Sequence, residues 1–432
     1  MARFRVLRKI RDEYVQAYSG LPRRAWILFA VNLVNASGTM VIFFLALYLT
    51  KKLGFSTTSA GQALSLYGIG SLAGACLGGW LADRIGSILV QKASLALCGA
   101  LLIALSQVRS AWGILPLLLS FGLAAGMLYP ANGTSMAQVC AAELRVKGFA
   151  LNRLANNLGA TIGPAVGGVL ALRDYRLLFW ADGLTSLAAA AVFAILWKGA
   201  WPGDGDEKRE EEAAAVAAGE GSRAYQPKIA AGNVDETAAE AQARSPWRDG
   251  PFLLLMLIFL VWSAVFVQVL TTYPLYIRNV YGLAENRIGQ LFAVNTILIV
   301  VLEMILMEKI RRYPLTSMIN VSFILLGAGL GIMPLGRGFA FAAFTVVVWT
   351  FGEMLSMPLV AALIAGRARD DTRGRYMGVF SLSFSLAFII APAAGTAVYD
   401  RFGGDAVWIG CAALCLLMAA AFSALRPALQ KN

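Results

Sequence analysis

Several ionisable side chains stand inside apolar stretches of this chain, where a charge is costly and is a functional candidate by default. Glu353 lies in Trp349-Thr-Phe-Gly-Glu353-Met-Leu-Ser-Met-Pro358. Burial disfavours the charged form of a carboxyl. A group there could take a proton from one side and release it to the other, pair with a cationic substrate, or make a structural hydrogen bond between helices. Glu303, in Leu302-Glu303-Met304, could share the proton coupling or bond a neighbouring helix. Arg153, in Asn152-Arg153-Leu-Ala-Asn156-Asn157, could face a cavity and meet an anionic substrate or Glu303, or snorkel to the interface. Asp83 falls at a helix end, and a carboxylate near the start of a facing helix is favoured by the helix dipole. That makes Asp83 a candidate gate, with Arg84 and Arg145 as partners. Asp182 reads as a helix-start acid on the outer side.

Other chemistries find no residues. The chain has no histidine, so a proton relay must rest on carboxylates. It carries no ATP-binding loop, metal cluster or nucleophile constellation, and so reads as neither an enzyme nor a cofactor protein. The five cysteines, Cys76, Cys98, Cys140, Cys411 and Cys415, lie in or beside apolar runs and read as small hydrophobes without a disulfide framework.

The elements that position these groups follow from composition. Of 432 residues, 58% are hydrophobic and 14% charged, and the mean hydropathy is +0.66. Soluble domains sit near 25% charged, so this is an integral, all-α membrane protein with helices facing lipid. Apolar runs long enough to cross a bilayer fall at 26–49, 59–82, 92–108, 112–138, 150–171 and 176–198, and again at 251–277, 286–307, 316–335, 339–364, 376–399 and 404–425. The division is a cytoplasmic N-terminal segment 1–25, a six-helix bundle 26–198, a cytoplasmic linker 199–249, a second six-helix bundle 250–425 and a tail 426–432. The first segment carries seven Arg or Lys, with Phe4, Leu7, Ile10, Tyr14 and Tyr18 at helical spacing. It reads as an amphipathic helix on the inner leaflet or as a basic tail that fixes orientation. No small-residue cleavage site follows it, so it is not a cleavable signal.

The net charge of +12 is distributed as membrane topology, not as a phosphate-binding face, which excludes nucleic acid as a partner. Alternate gaps hold only nine of the 37 Lys and Arg: Lys51, Lys52, Arg109, Arg173, Arg176, Arg278, Arg287, Arg337 and Arg401. The richer side is expected to be cytoplasmic, with both termini there and the chain in the cell inner (plasma) membrane.

The halves repeat. Leu47-Tyr48 recurs as Leu275-Tyr276, Gly54 as Gly282, Gly61-Gln62 as Gly289-Gln290, Pro130 as Pro358, Arg145 as Arg373, Lys147 as Arg375, Pro164 as Pro392 and Gly167 as Gly395, all at an offset of 228. Two parallel repeats predict two bundles about a pseudo-two-fold axis along the membrane normal, a cavity between them near the midplane, and rocking that opens it alternately to either side. Within Gly159-Ala-Thr-Ile-Gly163-Pro164-Ala-Val-Gly167-Gly168 the glycines read as a helix-packing seam and the proline as a kink.

Two motifs carry a family resemblance. Gly79-Trp-Leu-Ala-Asp83-Arg84-Ile-Gly86 resembles the cytoplasmic loop signature of the major facilitator superfamily, Gly-x-Leu-Ala-Asp-Arg-x-Gly followed by two basic residues; here Ser87 and Ile88 replace that pair. A weaker echo, Leu306-Met-Glu308-Lys309-Ile310, occupies the equivalent loop of the second half. The Gly159–Gly168 stretch resembles the fifth-helix signature Gly-x-x-x-Gly-Pro-x-x-Gly-Gly of the 12-helix drug/proton antiporters of that superfamily. Many of those carry an arginine in the fourth helix ahead of a glycine; here Leu118 and Leu119 precede Gly122. The resemblance implies 12 helices in two pseudo-symmetric bundles. It implies gating by Gly79, Asp83, Arg84, Gly86 and Arg145, and a cavity lined by the first, fourth, seventh and tenth helices. Asn32, Asn35, Gln268, Trp262, Phe266 and Trp349, with Arg153 and Glu353, would then form an aromatic, sparsely polar substrate pocket suited to a bulky amphipathic or cationic solute.

The expected function is secondary active transport by alternating access: a proton-coupled antiporter, with Glu353 and Glu303 carrying the coupling, that exports a small amphipathic or drug-like solute. It would be driven by the proton gradient without a cofactor, and would be a monomer in contact with membrane lipid. The alternatives are a symporter or uniporter for a nutrient, siderophore or lipid, and a non-transporting receptor or scaffold on the same fold.

Overall fold

A computed structural model describes residues 19–141, 144–197, 246–368 and 372–429. The N-terminal amphipathic segment before residue 19, the linker through residue 245 and the last three residues of the tail lie outside the described residues. The N-terminal bundle comprises α1 (Arg23–Gly38), α2 (Val41–Lys51), α3 (Thr57–Ile85), α4 (Ser87–Gln107), α5 (Ala111–Val139), α6 (Arg145–Arg173) and α7 (Arg176–Leu196). The C-terminal bundle comprises α8 (Gly250–Thr271), α9 (Tyr273–Asn279), α10 (Glu285–Ile310), α11 (Leu315–Gly331), α12 (Phe339–Arg367), α13 (Arg373–Phe402) and α14 (Gly404–Leu429). Among the described residues there is no strand.

Eleven helical spans are long and apolar enough to cross a membrane, α1 and α2 together forming the first. Helix α6 is as long, at 29 residues, but Arg145, Lys147, Asn152, Arg153, Asn156 and Asn157 lower its hydropathy. With it the architecture agrees with twelve crossings. Large apolar side chains such as Trp112, Leu184, Leu257, Val301, Ile390 and Leu417 point outward, as a lipid-facing surface requires.

The repeat is visible in the backbone. Gly54 and Gly282, 228 positions apart, both take a left-handed conformation, with φ of 71° and 69°. Each closes the same turn: Phe55 N–H donates to Leu49 O at 3.0 Å and Leu283 N–H to Ile277 O at 3.2 Å. Glycine suits both positions because it alone takes positive φ without a steric penalty.

The first span is broken at Thr39 and Met40, between α1 and α2. The break leaves the N–H groups of Met40 and Val41 without helical acceptors, and Asp182 of α7 accepts both at 3.2 Å. Asp182 is therefore not a helix-start acid. It lies in the second turn of α7, is 5% exposed, and caps a helix inside the span.

The two bundles meet along two seams, α3 against α13 and α6 against α10. A Cβ at Gly61 would lie 2.6 Å from Pro392 O, and one at Gly289 would fall on Pro164 O. These contacts are exchanged by the 228-residue offset, so the seams are related by the pseudo-two-fold axis. Gly61 and Gly289 both lie toward the end of the bundles remote from residues 23 and 429, the far end. At the opposite, terminal end Trp80, Asp83 and Ile85 of α3 are exposed.

Candidate functional site

A cavity of about 870 Å3 lies in the terminal half between α6, α10, α11 and α12. Its walls include apolar Leu154, Ile299, Val300, Met307 and Leu359, with Arg153 and Glu303 as charged groups from opposite bundles. The Arg153 guanidinium donates from Nη2 to Glu303 Oε1, forming an ion pair across the α6–α10 seam. The Glu303 side chain is 11% exposed and that of Arg153 54% exposed, so the carboxylate is the buried partner. Pro358 of α12 also lines the cavity. It has no N–H for the carbonyl of Met354, which weakens the helix at this wall.

Glu353 is half-buried five residues before that proline. Asn295 Nδ2 of α10 donates to Glu353 Oε2 at 2.8 Å and to Thr350 Oγ1 at 3.0 Å. Asn295 and Glu303 lie on α10 eight residues apart, about 12 Å along its axis. Helix α10 thus carries both Glu303, paired with Arg153 of α6, and Asn295, bonded to Glu353 of α12. Sequence reasoning missed Asn295, although a lone amide in Leu291-Phe-Ala-Val-Asn295 was a visible signal.

A second cavity of about 170 Å3 lies inside the N-terminal bundle and includes Asn32 and Asn35 in its wall. Asn32 Nδ2 donates to Asn152 Oδ1 at 2.9 Å and Asn156 Oδ1 at 3.0 Å, tying α1 to α6. Asn35 Oδ1 accepts from the Ser186 hydroxyl at 3.4 Å.

The remaining pocket residues fall elsewhere. Trp262 and Trp349 are 0% and 1% exposed and lie in the core of the C-terminal bundle, not on either cavity. The cause is helical spacing: Phe259, Trp262 and Phe266 share one face of α8. They stack at 5.1 and 5.3 Å between ring centroids, and that face packs on Phe380 and Phe384 of α13. Gln268 is buried and donates to Ala391 O at 2.6 Å, a bond between α8 and α13.

The expected gate residues do not meet one another at the terminal end. Asp83 is exposed and makes no hydrogen bond or ion pair with the described residues. Arg84 lies over the Trp80 ring at 4.4 Å, and Arg145 is exposed at the start of α6. Gly86, at φ 92°, makes the tight turn from α3 to α4, while Gly79 faces Pro130. In α6, a Cβ at Gly159 would meet Ala36, at Gly163 Thr39 O, and at Gly167 Met40; at Gly168 it would lie 2.5 Å from Glu285 O. Three of the four glycines therefore press on the broken first span, and the fourth on the other bundle.

At the terminal end of the C-terminal bundle, Asp249 caps α8 through Phe252 N–H at 3.1 Å and accepts Arg367 Nε and Nη2 at 2.8 Å each. Burial pushes the Asp249 carboxyl up. The bonds from Arg367 and Phe252, the arginine charge and the Tyr376 hydroxyl outweigh this and hold it below the usual carboxylate range. Among the described residues no cluster of three or more Cys, Asp or Glu could hold a metal ion.

The family model described as Major Facilitator Superfamily matches residues 27–376 and 355–432. The uncharacterised MFS-type transporter YttB of Bacillus subtilis (strain 168) is 25% identical over 403 residues, covering 92% of this chain and 94% of that one. A Na(+), Li(+), K(+)/H(+) antiporter of Planococcus maritimus is 24% identical over 394 residues, covering 83% and 85%. Multidrug resistance protein MdtH of Edwardsiella ictaluri (strain 93-146) is 22% identical over 379 residues, covering 87% and 86%. Among solved structures, a POT family transporter in complex with 5-aminolevulinic acid superposes with a TM-score of 0.73 at 16% identity, covering 96% of this chain and all of that one.

Proposed function

The chain belongs to the Major Facilitator Superfamily and is a multi-pass secondary transporter rather than an enzyme, and we propose that it is a proton-coupled antiporter exporting a small amphipathic solute from the cytoplasm. The observation that carries this reading is the Arg153–Glu303 pair. It joins the two bundles inside the span, and its carboxylate shares α10 with Asn295, which holds Glu353.

Protonating Glu303 removes its charge from the pair and with it a bond between the bundles, so proton occupancy is tied to bundle separation. Solute and proton compete for the same acids, which makes one leave as the other arrives. The cavity wall is mostly apolar with a few charges, which suits an amphipathic solute. Lys and Arg are concentrated at the terminal end, which supports placing that end and both termini in the cytoplasm and the chain in the inner membrane. The relative named as a Na(+), Li(+), K(+)/H(+) antiporter supports exchange as the mode, and the one named as a multidrug resistance protein supports a drug-like solute. The proton gradient serves as the driving force without a cofactor.

The test is purified protein in proteoliposomes containing a pH-sensitive dye, challenged with a panel of lipophilic cations. Solute-dependent proton movement opposite in sense to the solute is expected, and E353Q should abolish it and make any remaining solute binding independent of pH. Movement in the same sense would make the protein a symporter. Unchanged coupling in E353Q would remove Glu353 from the mechanism.

A further inference from the structure

We infer that the cavity inside the N-terminal bundle is a monovalent cation site built on Asp182, in which an alkali-metal ion and a proton compete. This cavity shares no lining residue with the one at Arg153 and Glu303. The inference stands whether or not Glu353 carries the transported proton.

Asp182 is 5% exposed and lies in the cavity wall. Its Oδ2 accepts the N–H groups of Met40 and Val41, whereas Oδ1 has no hydrogen-bond partner among the described residues. Asn132 contributes a second buried acceptor, Oδ1, that is also without a partner. Thr39, Asn35 and Ser186 add further oxygens to the wall. The Ser186 hydroxyl already donates to Asn35 Oδ1, and that of Thr39 to Asn35 O. Neither hydroxyl is therefore free to donate to Asp182.

No Lys or Arg lines the cavity among the described residues. The titratable groups that face Asp182 are Tyr67 of α3, Cys98 of α4 and Tyr129 of α5, and α1 and α6 present only asparagines and other uncharged groups. A carboxylate in hydrocarbon needs a positive partner or a proton. The described residues offer this carboxylate the Met40 and Val41 N–H groups but no full positive charge, so a full counter-charge comes from outside them. An oxygen-only donor set suits a hard cation, and a single carboxylate balances one positive charge, not two. The occupant also draws on the oxygen pair that holds the break in the first span, so occupancy bears on how firmly α1 and α2 are joined.

The test is thermal unfolding of the purified full chain in detergent, in NaCl, LiCl, KCl or choline chloride at equal ionic strength. At least one alkali ion should raise the Tm of wild type above choline, and less of it should be needed as pH rises and the proton competes less. D182N should lose the response. Its side-chain oxygen still accepts the Met40 and Val41 N–H groups, so the fold is retained. Should D182N nevertheless fail to fold, N35A and S186A each remove one neutral oxygen. Each is expected to raise the half-saturating ion concentration roughly tenfold. E353Q should keep the full response. Identical curves in all four salts, a wild-type response in D182N, unchanged midpoints in N35A and S186A, or loss of the response in E353Q would each overturn the assignment.

Discussion

The Asp400 carboxylate of α13 accepts the backbone N–H of Thr58 at 2.8 Å and its hydroxyl at 2.5 Å. An acid of one bundle thus caps the first turn of a helix in the other, where the helix dipole favours a negative charge. Tyr175 repeats the idea across the second seam, donating to Glu285 Oε1 at 2.8 Å. These bonds seal the far end, and they must break for that end to open. Removing the charge in D400N costs about 1 kcal/mol at this exposed site, roughly a fivefold shift toward the far-end-open state. Spin labels on Lys52 and Arg401, both exposed, on a cysteine-free background, should report longer distances in D400N. An unchanged distribution would mean that Asp400 does not hold the seal.

The Arg153–Glu303 pair is asymmetric, and its variants should be too. R153A leaves a buried carboxylate without its only partner among the described residues, whereas E303Q leaves an arginine that already reaches water. R153A should therefore lower thermal stability more than E303Q, by about 1–3 kcal/mol. The swap R153E/E303R should recover part of the loss. Equal losses in the two single variants would mean that the pair adds nothing across the seam.

Gly61 and Gly289 occupy equivalent places on the two seams, each against the carbonyl of the other half's proline. G61A and G289A should each cost roughly 1–3 kcal/mol by overpacking and lengthen the Lys52–Arg401 distance alike. G159A, which crowds Ala36 within one bundle, should lower Tm without moving that distance. If G159A lengthened it equally, the seams would not be the moving contacts.

Asp249 carries a pH dependence with a definite sign. Its folded carboxyl sits below its unfolded value of about 3.9. It therefore contributes stability that is fully present above that pH and lost as pH falls through the folded value. Relative to its own midpoint at pH 6, wild type should lose Tm more steeply below about pH 4 than D249N. Parallel acid limbs would show that the pair with Arg367 does not contribute.

The sequence made the spans, the duplication, the α6 glycine stripe and the meeting of Arg153 with Glu303 readable, because each depends on spacing along the chain. It did not reveal which way Trp262 and Trp349 face. In a helix apolar on every side there is no polar stripe to mark the inside, so core, cavity and lipid faces look alike. Asp182 was misread because the break it caps, at Thr39 and Met40, lies within a single stretch of bilayer length, where Asn35-Ala-Ser-Gly-Thr39 was read as part of one continuous span. The far-end seal was missed for a related reason: Thr58 and Asp400 are 342 residues apart and each is ordinary at a helix end.

Helix α6 lies against the broken first span on one face and against α10 on another. At 1.5 Å per residue its 29 residues reach about 43 Å. A beam of that length, pinned between two neighbours, behaves as a see-saw. In the proposed rocking, lifting Gly168 away from Glu285 near one end would swing Arg153, toward the other, in the opposite sense. The leverage between the two sides of the bilayer is thus written into a single helix, and stiffening or softening it around Pro164 sets how faithfully one side answers the other.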